Sequence, residues 1–267
     1  MPATSRRHWL ARGCVRPGDA KATFGTGAML DVCIGPQRPG FTHRGEAGCF
    51  PMIAWRDGSG VTWGTEAVML SAGTNLEWLV EDLGIIDSPE ESESIALSVA
   101  DTDGVVYVPA LLGLGTPHWD YGARGTLLGV TRGTTAAHVV RAVLGGIAHR
   151  GADLLEAARS DSGLTLDRLR VDGGMAANSL FVQMVADTTG VPVEVSPRKE
   201  ATTLGAGYLA GLAIGTWSGW DDIAAAWAPS AVIEPDTGAQ SDTSRQRWAE
   251  AIDRSKGWHE DLSALDF

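Results

Sequence analysis

The stretch Lys21–Leu30, KATFGTGAML, decides how the rest of this 267-residue chain is read. Residues 21–34 form two apolar runs either side of Gly25-Thr26-Gly27, the pattern of two strands joined at a tight glycine turn. Glycine opens backbone conformations closed to other residues and lets N–H groups come close to a phosphate, and the Thr26 hydroxyl adds a donor. Taken alone, such a turn is more often a plain hairpin, so its meaning depends on what accompanies it.

Downstream, MIAWRDG and VTWGTE read as a hairpin around Asp57-Gly58. SAGTNLEWLVEDLGI follows as a helix with Leu76, Leu79 and Leu83 on one face, Ser71 or Thr74 as its cap and Gly84 after its end. SPEESESI (88–95) reads as the start of a second helix with proline in its first turn, its acidic run a solvated face. GVVYVPAL is a buried strand, and the loop GLGTPHWDYGARG leads to a long amphipathic helix that ends at Gly163. A strand at Leu169–Val171, a turn at Gly173-Gly174, a helix to Thr189, a strand at VPVEVS and a helix crowded with Ala and Gly complete the alternation. Past Trp227 the sequence loosens before a last amphipathic helix. Strands and helices in alternation predict an α/β fold.

Composition excludes several classes. Apolar residues make up 44% and charged residues 20%, enough to bury a core, and no apolar run reaches the length of a membrane span. Arg6 and Arg7 precede a run too short and broken for a signal sequence, which predicts a cytoplasmic protein. A formal net charge of −12 disfavours nucleic acid as a partner. Three cysteines without a C-x-x-C, and scattered histidines, argue against a disulfide scaffold or a metal site. Ten tryptophans are expected to serve as core anchors.

Two further glycine turns join the first. Ser71-Ala72-Gly73-Thr74 opens a helix, where free N–H groups and the helix dipole favour anions. Asp172-Gly173-Gly174 follows a strand; Gly174 would let a flat ring or a ribose approach, and Asn178 one turn on can donate and accept. No G-x-x-x-x-G-K-[ST], no G-x-G-x-x-G opening a helix after a strand and no G-x-S-x-G is present, which removes the P-loop, Rossmann and α/β-hydrolase readings. Asp120 and Arg124 read as ties for the long loop, Asp172 as a turn-former or supporting group, and Glu200 as a helix N-terminal charge.

In order, KATFGTGAML (21–30), SAGTNLEWLVEDLGI (71–85), VPALLGLGTPHWDYGARGTLLGVTRGT (108–134), LRVDGGMAANSLFVQMVAD (169–187) and EATTLGAGYLAGLAIGTW (200–217) resemble the C-terminal half of the glycerol kinases, within the FGGY carbohydrate kinases. The resemblance runs from about Cys14 to the final DRSKGW. It implies the second of two actin-like ATPase (ribonuclease H-like) domains, which close on ATP or ADP with Mg²⁺ from either side. It divides the chain into a non-family stretch at 1–13 and the nucleotide-binding domain at 14–267. By resemblance, Thr26 and Gly27 meet the phosphates, Gly73 and Glu77 lie along the nucleotide, and Gly174 and Asn178 meet the adenosine end. Glu77 stands where the family usually has Gln, bringing negative charge towards polyphosphate. Met29 stands where a Phe packs on glycerol, and Phe24 replaces a Tyr. The implied reaction is ATP-dependent phosphorylation of glycerol or a related polyol or sugar. A xylulokinase- or gluconokinase-like enzyme, a non-catalytic nucleotide-binding remnant, and one subunit of a split kinase or homo-oligomer stay open as alternatives.

In the family a catalytic Asp lies in a GDQQA motif just before this segment; counting back from Gly13-Cys14, its position falls at Thr4. A threonine cannot accept a proton as a carboxylate does, and losing a general base alone costs on the order of 10²–10⁴ in rate. With synonymous codons chosen for Pro2–Arg12, the frame beginning one base upstream reads Gly-Asp-Gln-Gln-Ala-Ser-Leu-Ala-Gly-Gln, joining directly to Gly13-Cys14. The expectation is that residues 1 to about 12 are a frameshifted reading of the catalytic segment, and that the chain has little activity alone. The bases under Ala3–Arg12 decide it.

Overall fold

The computed structural model describes residues 9–58, 60–197, 201–236 and 242–260. Thr4 and Glu200 lie outside the described residues. The glycine-turn hairpin stands at the centre. Strands β1 (Ala20–Phe24) and β2 (Ala28–Gly35) pair antiparallel, with Phe24 opposite Ala28. Strands β3 (Phe50–Asp57) and β4 (Gly60–Met69) form the expected second hairpin, and β4 adds to β2.

On the other side of β1, β7 (Leu169–Asp172) pairs parallel to it and β8 (Val193–Val195) pairs parallel to β7. Antiparallel β9 (Ala231–Ile233) closes the seven-stranded order β3-β4-β2-β1-β7-β8-β9. Strands β5 (Val106–Val108) and β6 (Thr126–Leu128) make a separate ribbon, so GVVYVPAL supplies a strand outside the main sheet.

Alternation sorts the two faces. Ala20, Ala22 and Phe24 of β1 and Ala28, Leu30 and Val32 of β2 point into the main core. They meet α3 (Ala136–Ser162), whose Val140, Val143, Leu144 and Ile147 are buried and whose C-cap Gly163 adopts φ 67°. A capping box starts α3, with Thr135 N–H donating to His138 Nδ1 at 3.0 Å. Helix α4 (Ser179–Thr189) packs on α3 and buries Phe181 edge-on against Phe24, ring centroids 5.1 Å apart.

The opposite face is covered by residues 9–15 and α6 (Trp220–Ala225). Trp9 is fully buried, its ring lying where a β-carbon on Gly64 would be and edge-on to Trp55. The Ala/Gly-rich helix α5 (Ala201–Ala213) precedes α6, and α7 (Asp242–Ser255) packs against β5 and β6.

Three local expectations change. Helix α1 (Thr74–Glu81) has Gly73 at its N-cap, and neither Ser71 nor Thr74 caps it; their hydroxyls bond each other at 2.6 Å. Leu83 falls beyond the helix and is exposed. The segment after Ser88 is a 3₁₀ turn (Pro89–Glu91) followed by the short α2 (Ser92–Leu97). Helix α6, before Trp227, and β9, in the loosened stretch after it, are both too short to leave a periodicity. Trp9, Trp55 and Trp248 are buried as anchors, whereas Trp258 is exposed. The three cysteines are free and buried, and burial pushes the Cys14 and Cys33 thiols up to about 12.

Candidate functional site

The three glycine turns meet. Gly73 N–H donates to Gly25 O at 2.8 Å and Ala72 N–H to Thr26 O at 2.8 Å, lacing the start of α1 to the β1–β2 turn. Thr74 N–H reaches the same Thr26 carbonyl at 3.3 Å. These bonds revise the expectation of free N–H groups at the start of α1: the β1–β2 turn takes them. Thr26 itself is exposed at the turn tip, and its N–H donates to no other described residue. The third turn comes in from β7, where Gly173 lies on the backbone of Phe24.

Between the turns lies a cleft of about 420 Å³. Phe24, Gly25 and Thr26 form its floor; Gly73, Leu76 and Glu77 form one wall; Gly174, Met175, Ala177 and Asn178 form the other. A β-carbon on Gly174 would meet nothing within 4 Å, so the backbone there is open to a flat ligand. Pro89, Glu90, Ser92 and Glu93 close one end. The acidic run is therefore partly a cleft wall, which corrects the expectation of a solvated face.

Two residues of this wall are fixed by the helix beside it. Asn178 is the N-cap of α4: its Oδ1 accepts from Phe181 N–H at 2.8 Å, and its Nδ2 donates to Ser92 Oγ at 3.2 Å. Glu93 Oε1 accepts from Ser179 N–H at 3.1 Å and from Leu180 N–H at 3.3 Å. A carboxylate thus already occupies the positive end of α4. The start of α1 is locked from below by Asn75, fully buried, which donates to Ala72 O at 2.8 Å and accepts from Tyr107 Oη at 2.9 Å.

Of the residues singled out from the sequence, Thr26, Gly73, Glu77, Gly174 and Asn178 line the cleft, with Glu77 exposed to it. Gly27 does not line it: its carbonyl accepts from Gly25 N–H, and a β-carbon there would lie 2.7 Å from Met69 O. Met29 is 44% exposed on the opposite face of β2, away from the cleft. Sequence reasoning missed Ser92, Glu93 and Asn75, which carry no motif and whose bonds to Asn178, to Ser179 and Leu180, and to Tyr107 join segments distant in the chain. Asp120 and Arg124 tie the long loop: Asp120 accepts from Gly122, Ala123 and Gly257 N–H groups, and Arg124 donates to Tyr121 and Ala123 carbonyls.

Beneath Thr23 and Met29 runs a row of ionisable residues across the sheet. Glu194, Arg170, Lys21, Asp31 and Glu66 are register partners on β8, β7, β1, β2 and β4. Lys21 Nζ and Asp31 Oδ2 are 2.7 Å apart and both buried. Burial pulls the Lys21 ammonium down, yet Asp31 and Asp172 together hold it above its ordinary value. Burial, and then Asp31, pushes the Glu66 carboxyl up to about 7.

The family model described as the FGGY family of carbohydrate kinases, C-terminal domain, matches residues 20–214. A glycerol kinase of Rhodopirellula baltica is 45% identical over 258 residues, covering 96% of this chain and 47% of that protein. One of Bordetella parapertussis is 46% identical over 255 residues, covering 93% and 49%. The chain thus spans about half the length of the curated relatives it matches. Among solved structures, Plasmodium falciparum glycerol kinase with ADP superimposes with a TM-score of 0.85 at 31% identity, over 94% of this chain and 50% of that one. A xylulose kinase from Rhodospirillum rubrum, 22% identical with a TM-score of 0.77 over 95% and 50%, shares the fold.

Proposed function

The chain belongs to the FGGY family of carbohydrate kinases, and on that premise we propose that it is the nucleotide-holding, actin-like C-terminal half of a glycerol kinase-type enzyme. The observation that carries the proposal is the convergence of three glycine turns, far apart in sequence, on one cleft. ATP or ADP lies along it, the polyphosphate towards Thr26 and Gly73 and the adenosine towards Gly174 and Asn178. Two features favour this direction: Thr26 N–H is open at the turn tip, and Glu93 already fills the positive end of α4. Glu77 faces the nucleotide and weakens its hold by like-charge repulsion. Gly27 serves the phosphate end by shaping the turn that presents Thr26. Residues 14–267 act as one domain, and residues 9–13 pack against it.

ATP supplies the phosphoryl group, and the acceptor is glycerol or a related polyol, with Met29 on the sheet face that would meet it. Among the described residues no group of three or more His, Cys, Asp or Glu could hold a metal ion; a Mg²⁺ accompanying ATP would be held through the phosphates and would neutralise charge there. No described helix is long and apolar enough to cross a membrane. Phosphoryl transfer depends on positioning from both sides of the nucleotide. Turnover therefore requires the other half of the enzyme, as a covalent segment or a separate subunit.

Calorimetry with ADP tests the reading, with inorganic phosphate as control. One-to-one binding of ADP is expected; absence of both heat and thermal shift at millimolar ADP refutes it. A coupled assay with ATP and glycerol on this chain alone is expected to show no more than trace turnover.

A further inference from the structure

Arg12 and Asp172 are 160 positions apart in the chain and meet in the interior. Arg12 Nε donates to Asp172 Oδ2 at 2.7 Å, and Nη2 contacts the same oxygen. Both residues are buried, at 1% and 6% exposure. Asp172 Oδ1 is also buried and accepts no hydrogen bond among the described residues. Arg12 is gripped from behind, since its carbonyl accepts from Arg170 Nη1 at 2.6 Å while Arg170 Nε donates to Glu194 at 3.0 Å. Asp172 is the last residue of β7, directly before the Gly173-Gly174 turn that walls the cleft.

We infer that Arg12 is a positioning residue for the nucleotide cleft: by holding Asp172 it fixes the Gly173-Gly174 turn against Phe24. A buried carboxylate stripped of its hydrogen-bonded cation is strongly destabilising; Lys21 lies near enough to interact with Asp172, but its ammonium is bonded to Asp31 and Thr23 and does not take the place of Arg12. The Asp172 side chain escapes that state by rotating towards solvent, which carries the end of β7 and the turn with it. The segment at residues 9–15, on the opposite face of the sheet from the main core, thereby reaches the adenosine end of the site.

The affinity arm of the test rests on the nucleotide reading above; a second arm does not. The full chain is compared with Arg12→Gln and Arg12→Lys by amide exchange at residues 173–178 and by ADP calorimetry. Arg12→Gln is expected to speed exchange at 173–178 at least tenfold, with the centre of α3 unchanged, and to weaken ADP about tenfold. Arg12→Lys, which keeps the charge, is expected to recover part of both. A lower Tm with wild-type exchange at 173–178 and wild-type ADP affinity would show that Arg12 only anchors the fold and overturns the inference. If the wild-type chain binds no ADP, the nucleotide reading fails and the exchange arm alone decides. Should Arg12→Gln not fold, Arg12→Lys alone carries the readouts, since a lysine head cannot repeat the two guanidinium contacts with Asp172: exchange at 173–178 severalfold faster than wild type is expected, and wild-type exchange overturns the inference.

Discussion

Gly173 rests directly on the main chain of Phe24: a β-carbon at position 173 would lie 2.2 Å from Phe24 O and 2.5 Å from its carbonyl carbon. Gly173 also has φ 95°, a conformation that side-chain-bearing residues rarely adopt. Backbone cannot step aside as a flexible side chain does, so both terms act against any other residue. Gly173→Ala is expected to cost about 3 kcal/mol of stability. Thermal unfolding should show Tm lower by roughly 6–12 °C, together with loss of ADP binding. A near-wild-type Tm would mean the turn has another resting place.

Glu77 points a carboxylate into the cleft from the first turn of α1. It is exposed, so screening limits its effect. Glu77→Gln should tighten ADP by roughly threefold to tenfold at low salt, the gain shrinking as ionic strength rises. Calorimetry at two salt concentrations checks this, and a salt-independent gain would point to a hydrogen bond rather than to charge.

Asn178 has two separable duties. Asn178→Ala removes the α4 cap on Phe181 N–H and should cost about 1 kcal/mol of stability along with ADP affinity. Asn178→Asp keeps a capping oxygen but loses the donor to Ser92. It is expected to hold Tm near wild type while ADP binding falls severalfold. Equal Tm losses in the two variants would contradict the division.

The Glu66 carboxyl, raised from 4.5 to about 7 by burial and by Asp31, makes stability depend on pH. The folded state keeps this proton where the unfolded chain has already released it. The contribution is therefore fully present below about 4.5 and is lost as pH rises through about 7. Glu66→Gln removes that linkage and should raise stability at pH 8, relative to wild type, by on the order of 1–2 kcal/mol. Tm measured from pH 5 to pH 8 tests it; parallel curves for wild type and variant would exclude Glu66 as the titrating group.

Much of the hairpin region was legible because its signals are local. Alternation along Ala20–Phe24 and Ala28–Gly35, and glycine at the turn between them, determine strand, turn and strand without reference to anything distant. The long α3 was legible from its apolar stripe and its terminal Gly163. The 3₁₀ turn at Pro89–Glu91, the strand Ala231–Ile233 and the six-residue α6 were not, since pieces of one or two turns carry no period. Glu93 read as a solvated acid because charge alone does not say that Ser179 and Leu180 N–H groups lie within reach.

By itself, the sequence determined the central strands β1 and β2, the long α3 with its end at Gly163, and that three glycine turns can each let backbone come close to a ligand. Whether those turns share one site was decided by the tertiary structure. Parallel pairing of β7 with β1 sets Asp172 opposite Thr23, lays Gly173 on Phe24 and brings Asn178 across from Gly73. It also opens the place where Arg12 meets Asp172. Turn chemistry follows from a few neighbouring residues, whereas a cleft built from residues about 150 positions apart exists only once burial of the shared core fixes the strand order.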